Sequence, residues 1–159
     1  MHAGRVWVRG GHGYRHAVER LYRRIIDGWN AHDADAMAAP FAADGLMIGF
    51  DGSQLHGRDE VAAELGRIFA DHETASYVTK VRSIKPLGAE TGLLHAVAGM
   101  PAPDGAELMP DRNAVQTVVA HRADGEWSVA SFQTTPAQFH GRPELTEKLM
   151  AELSDLVAP

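Results

Sequence analysis

Apolar residues recur at helical spacing over the segment from His12 to Trp29. Val18, Leu21, Tyr22, Ile25, Ile26 and Trp29 fall at i, i+3 and i+4, while Glu19, Arg20, Arg23 and Arg24 lie largely elsewhere. This spacing predicts a first helix over about 12–29. Asn30 to Asp33 then make a polar turn with Asp33 placed as an N-cap. Met37 and Phe41, four apart, put a short second helix over about 33–41, ended by Pro40, which lacks a donor and clashes one turn back. Asp44-Gly45 turns the chain into a strand over 46–50, closed by a second turn pair, Asp51-Gly52. A third helix is predicted over about 58–72, with Val61, Leu65, Ile68 and Phe69 inward.

Beyond residue 72 the pattern becomes that of strands, predicted over 75–87, 91–100, 112–121 and 126–134. Asp124-Gly125 is a tight-hairpin signal, because both residues tolerate positive φ. Pro101, Pro103 and Gly105 mark a longer loop over 100–110. A last helix is predicted over 143–156, with Pro143 in its first turn and Leu145, Leu149, Met150, Leu153 and Leu156 as its stripe. Helices first and an antiparallel sheet later make the fold class α+β, with helices on one face of a curved sheet. The chain reads as a single domain over 1–159. Residues 1–11, which include the apolar run VWV, read as a loose leader or an added edge strand.

Composition narrows the function more than the fold. A formal net charge of −6 argues against general affinity for nucleic-acid phosphates or anionic membrane. The chain has no cysteine, which removes disulfides, thiolate metal sites and cysteine nucleophiles and fits a cytoplasmic setting. No apolar run approaches the roughly 20 residues that span a bilayer, and the start lacks the apolar stretch of a secretory signal. His12 and His16 stand four apart, but the glutamate of a zinc helix motif is missing between them and no third ligand is evident. No metal is expected. The Gly-rich start is not followed by a strand–turn–helix of the dinucleotide-binding kind, so no cofactor is expected either.

The run WNAHDADAMAAPFAADGLMIGFDG resembles the opening of the nuclear-transport-factor-2-like fold shared by ketosteroid isomerase and the SnoaL-like cyclases. Further on, His95–Met100, Arg112-Asn113, Gln116, Trp127, Phe132–Thr135 and the segment from Phe139 to Glu144 look like the SgcJ/EcaC-type group of SnoaL-like proteins. The resemblance covers about residues 14–155. It implies a cone-shaped barrel built of a strongly curved antiparallel sheet with three N-terminal helices and an added C-terminal helix. Some members of that group sit in enediyne and polyketide biosynthesis, which implies an apolar, oxygen-bearing ligand.

Ketosteroid isomerase works with an Asp base and with a Tyr and a protonated Asp as oxyanion donors. Aligned on Asn30 and Phe41, the tyrosine position falls at Ile25, the base near Gly49 and the oxyanion carboxyl near Gln116. That ionisable set is therefore absent. Asp51, two residues past the base position, is either a displaced base or a turn cap. The late strands offer His95, Gln116 and Gln133, each among apolar neighbours. With the isomerase's strand parity, Gln116 (beside Val118) and Gln133 (beside Val129) point into the cone together, either to hydrogen-bond a ligand or to satisfy one another. His95 is either a proton carrier or a core or interface histidine. Asn113 is a rim contact or a turn cap. Trp29, Phe50 and Phe69 are expected to wall the cavity.

Two functions remain open. One is a small-molecule binder, catalysing cofactor-free cyclisation, isomerisation or hydration if it is an enzyme. The other is a non-catalytic homodimer whose cone is filled by its own side chains. Apolar residues on both parities of 114–119 imply that both sheet faces are covered, which fits a dimer.

Overall fold

The structure is a computed structural model that describes residues 2–105 and 107–157, with side chains from Gly13 onward. Helix α1 (His2–Asn30) carries the predicted stripe: Val18, Leu21, Tyr22, Ile25 and Ile26 are buried, and Glu19, Arg20, Arg23 and Arg24 face solvent. It begins at His2, so over residues 2–11 the expected leader or edge strand is helix instead; residue 1 lies outside the described residues. Asp33 caps the short helix α2 (Ala34–Ala38), accepting from the Ala36 amide at 3.0 Å.

The chain then enters β1 (Phe41–Ile48), earlier than expected. Asp44-Gly45 is not a turn between elements but an irregularity inside β1, where pairing jumps from Phe41 to Leu46. Gly45 is needed there, because a Cβ would stand 2.6 Å from the Val129 carbonyl oxygen. After β2 (Gln54–His56) come α3 (Arg58–Asp71), β3 (Val78–Pro86), β4 (Thr91–Gly99), β5 (Ala114–Ala123), β6 (Glu126–Pro136) and α4 (Pro143–Ser154). Asp124 and Gly125 make the β5–β6 turn with φ of 54° and 80°.

The six strands form one sheet in the order β2-β1-β6-β5-β4-β3. β1 runs parallel to β6 and every other pairing is antiparallel, so the sheet is mixed and not purely antiparallel. It is also open, since β2 and β3 are its edges. The expected barrel of a curved antiparallel sheet is corrected on those grounds to an open, mixed sheet. Long connections between β1 and β6, which bring β1 home beside the last strand, permit the parallel pair.

Helices α1 and α3 cover one face, called the inner face here. Tyr22, Ile25, Met37, Phe41, Leu65, Leu94, Val118, Val129 and Phe132 form its core, each at most 2% exposed. Helix α4 covers one end of the outer face, where Leu149 and Leu153 pack with Val97 and Leu108. Glu152 of α4 pairs with Arg82 at 2.6 Å and Lys80 at 3.6 Å.

Gly28 shows how tightly α1 and α2 approach. A Cβ on it would lie 2.6 Å from the Met37 nitrogen and 2.7 Å from the Met37 Cα. Alanine is the better helix former by about 1 kcal/mol, yet overpacking against backbone costs about 1–3 kcal/mol. Gly28→Ala is therefore expected to lower stability in urea unfolding; a gain of stability would mean that the two helices are free to part.

Candidate functional site

The inner face holds one polar cluster in an apolar setting. The Tyr22 hydroxyl donates to Gln116 Oε1 at 2.5 Å, and Gln116 Nε2 donates to Thr134 Oγ1 at 3.3 Å. Tyr22 and Gln116 are 0% exposed and Thr134 is 5% exposed. Gln116 and Thr134 are direct cross-strand partners, and Tyr22 reaches them from the stripe of α1. Burial pushes the Tyr22 phenol far above the ordinary tyrosine range, against the opposing pull of the Thr79 hydroxyl and the Arg23 charge. The phenol therefore stays a neutral donor. This is a water-poor arrangement of hydroxyls and one amide, suited to hydrogen-bonding a carbonyl or alkoxide oxygen and unsuited to abstracting a proton with a carboxylate.

A second group lies at the end of α1. Trp29 stacks edge-on with Phe69 at 5.4 Å and packs tilted on Tyr77 at 5.4 Å, while its Nε1 donates to the Ala75 carbonyl at 2.8 Å. Asn30 clamps Tyr77 from both sides, donating to its carbonyl at 3.1 Å and accepting from its amide at 2.8 Å. His32 Nε2 bonds the Thr74 carbonyl at 2.9 Å. Residues 72–77 have no regular secondary structure. These side chains hold them against α1, which is why β3 starts at Val78 and not near residue 75. Tyr77 is itself pushed up to about 12 by burial, opposed by the charge of Arg112.

The sequence-derived site residues separate into several places. Gln116, Val118 and Val129 face inward as expected. Gln133 does not. It is exposed, sits opposite Thr117 and donates to Thr135 Oγ1 at 3.4 Å. The reason is a bulge in β6: Ala120 pairs with Val129 and Val119 with Ser131, leaving Ala130 as the extra residue. One inserted residue reverses the alternation, so Val129 and Phe132 point in while Ser131 and Gln133 point out. The expected pair of facing amides is thus corrected to Gln116 with Tyr22 and Thr134.

His95 also lies on the outer face, half-buried between Ser83 and Thr117, and is remote from the inner cluster by orientation. Asp51 is exposed and accepts from the Ser53 amide at 2.9 Å. Its bonds to Ser53 hold the carboxyl below its usual range, as in a turn cap. Asn113 is 1% exposed under α4, not at a rim; its Nδ2 meets Met150 Sδ at 3.2 Å and its Oδ1 has no partner. Trp29 and Phe69 do meet. Phe50 sits apart, half-buried in the turn after β1 and outside the residues packed on the inner core. Among the described residues no group of three or more His, Asp or Glu is arranged to hold a metal, and no helix is long and apolar enough to cross a membrane.

As site residues, Tyr22, Thr79, Thr134 and Tyr77 were not singled out by the sequence. Tyr22 had a signal: it is the fully buried tyrosine on the apolar stripe of α1, one turn before Ile25. Thr134 had none, because its inward direction depends on the bulge.

The SnoaL-like domain model matches residues 18–136, and the chain belongs to that family. No match was found among curated proteins. Among solved structures, a domain of unknown function with a cystatin-like fold from Nostoc punctiforme superposes with a TM-score of 0.75 at 22% identity, covering 90% of this chain and 93% of its own. A ketosteroid isomerase-like protein from Erwinia carotovora atroseptica gives 0.60 at 16% identity, covering 77% and 95%. A type 2 hexachlorocyclohexane dehydrochlorinase, LinA, gives 0.66 at 14% identity, covering 80% and 88%. At these identities the likeness is one of fold.

Removing one partner of a buried hydrogen bond leaves the other unsatisfied, which costs about 1–3 kcal/mol. Tyr22→Phe is expected to lose that much in urea unfolding. In the double variant with Gln116→Leu, the combined loss is expected to fall short of the sum of the single losses, because both remove the same bond. Strict additivity would mean that the two side chains do not act together.

Proposed function

We propose that this chain is a small-molecule-binding SnoaL-like protein whose ligand enters between Trp29, Phe69 and Tyr77 and meets the Tyr22–Gln116 pair. The observation that carries this reading is a neutral phenol aimed at a buried amide inside an otherwise apolar interior. Such a pair recognises an oxygen on an apolar body, as in a polyketide-type or enediyne-type intermediate, the ligand class suggested by likeness to the SgcJ/EcaC group. Segment 72–77 hangs on three side chains of α1 and its cap, which makes it the part that yields when a ligand enters. If turnover occurs, it is cofactor-free cyclisation, isomerisation or hydration. Orientation in a dry pocket and the Tyr22 proton supply the chemistry, with the phenol bonding more strongly to an oxygen that gains negative charge. The isomerase-like and dehydrochlorinase neighbours are consistent with that type of reaction. In place of His95, which the sequence left open as a proton carrier, the polar group facing the interior is Tyr22, acting as a neutral hydrogen-bond donor. Native mass spectrometry of the protein purified from its own host is expected to find a co-purifying apolar metabolite, retained by Gln133→Ala and lost in Tyr22→Phe. A ligand-free mass in both the natural protein and Gln133→Ala would remove the reading.

A second reading rests on the closure of the interior: Tyr22, Gln116 and Thr134 already satisfy one another at 5% exposure or less. On that reading the core is self-filled and the working surface is the outer face. There Leu46, Ile48, Leu93 and Val119 are half-buried beyond the reach of α4, and a second copy of the chain covers them. Light scattering after size exclusion is expected to give a dimer that Val119→Lys converts to a monomer. A monomer at micromolar concentration for the unsubstituted chain would end this second reading.

A further inference from the structure

The segment joining β6 to α4 lies just beyond the part of the chain matched by the family model, and it builds a groove of its own. Val115, Pro136, Ala137, Gln138, Phe139, His140 and Arg142 line an open groove of about 430 Å³, a volume in the range of small-molecule sites. The backbone here is costly. Phe139 and His140 have φ of 54° and 44°, both left-handed, and Gly141 follows at 73°. Left-handed backbone is unusual for one side chain, and more so for an aromatic followed directly by another ring. Such strain persists where the surroundings hold it, and it concentrates at binding sites.

Both ends of the turn are tied down. The Ala137 amide donates to the Asn113 carbonyl at 2.8 Å, and the Arg142 amide and Nε donate to the Phe139 carbonyl at 3.2 and 3.0 Å. Phe139 packs on the cluster under α4. The strain thus sets an apolar wall of Val115, Pro136, Ala137 and Phe139 against a polar edge of Gln138, His140 and Arg142. Arg142 spends only its Nε on the turn. Its terminal nitrogens make no ion pair among the described residues, Glu144 two positions on included, and none of the seven lining residues is acidic.

We propose that this groove binds a small amphipathic carboxylate, its apolar body on Phe139, Ala137 and Val115 and its head on the Arg142 guanidinium. A cation whose terminal nitrogens have no ion-pair partner among the described residues, beside an apolar wall, selects an anionic head over a neutral one. The site is on the outer side of the sheet, apart from the Tyr22 cluster, and stands whether or not that cluster takes a ligand.

The test is an amide NMR titration with sodium octanoate, run beside 1-octanol. Octanoate is expected to shift the amides of residues 137–142 saturably, with Kd at or below about 1 mM. Arg142→Gln is expected to weaken octanoate at least about tenfold while leaving octanol as it was. His140→Gly relaxes one left-handed residue and is expected to raise Tm by about 2 °C while also weakening octanoate, a combination that a merely structural turn does not produce. The proposal is overturned if octanoate produces no saturable shift, if the shifts centre on Gln116 and Thr134, or if octanol binds as tightly as octanoate.

Discussion

The hydrogen bond between Tyr22 and Gln116 constrains the rest of the inner face. An amide with no water must have its oxygen and nitrogen met from within, or the fold bears a penalty comparable to a large fraction of its stability. Meeting the oxygen requires α1 to present Tyr22 over β5. Meeting the nitrogen requires β6 to place Thr134 inward beside it. Helix position and strand register are therefore coupled through one side chain. Apolar packing alone tolerates small slides; a directional bond does not. Leu94, Val118 and Phe132 belong to the same apolar core, and the Thr79 hydroxyl is the further polar group that acts on the phenol.

Much of this was legible from residue pattern. The stripe of α1, the Asp33 cap, the short α2 before Pro40 and the Asp124-Gly125 hairpin follow from local chemistry that depends on a few adjacent residues. The burial of Gln116, Val118 and Val129 was legible too. Three things were not. The parallel pairing of β1 with β6 joins segments some 85 residues apart and leaves no local trace. The Ala130 bulge inverts the parity of everything after it, and nothing in VASFQTT announces which residue is extra. The direction of His95 depends on which face α1 chooses, which strand parity alone does not say. Each is a tertiary fact, and the last two moved the site residues Gln133 and His95.

Motif residues acquired plainer duties than chemistry. In the Trp-Asn-x-x-Asp run, Trp29 and Asn30 tie down residues 75–77, and Asp33 caps α2. Asp51 stabilises a turn. These residues make the architecture recognisable because they solve backbone problems common to the fold, and for that reason they say little about a ligand. The strained Phe139-His140-Gly141 turn is different: no backbone necessity accounts for two successive bulky residues in the left-handed region.

Asn113 carries one more consequence. Its side-chain oxygen is sealed beneath α4 against Gly99, Leu108 and Leu153 without a donor. Lifting α4 would let that oxygen reach solvent and recover its hydration, which offsets part of the cost of exposing the apolar side chains beneath the helix. That offset makes α4 easier to lift than its buried Leu149 and Leu153 and its Glu152 ion pairs alone would imply. The sheet beneath keeps its own strand pairing independently of that helix.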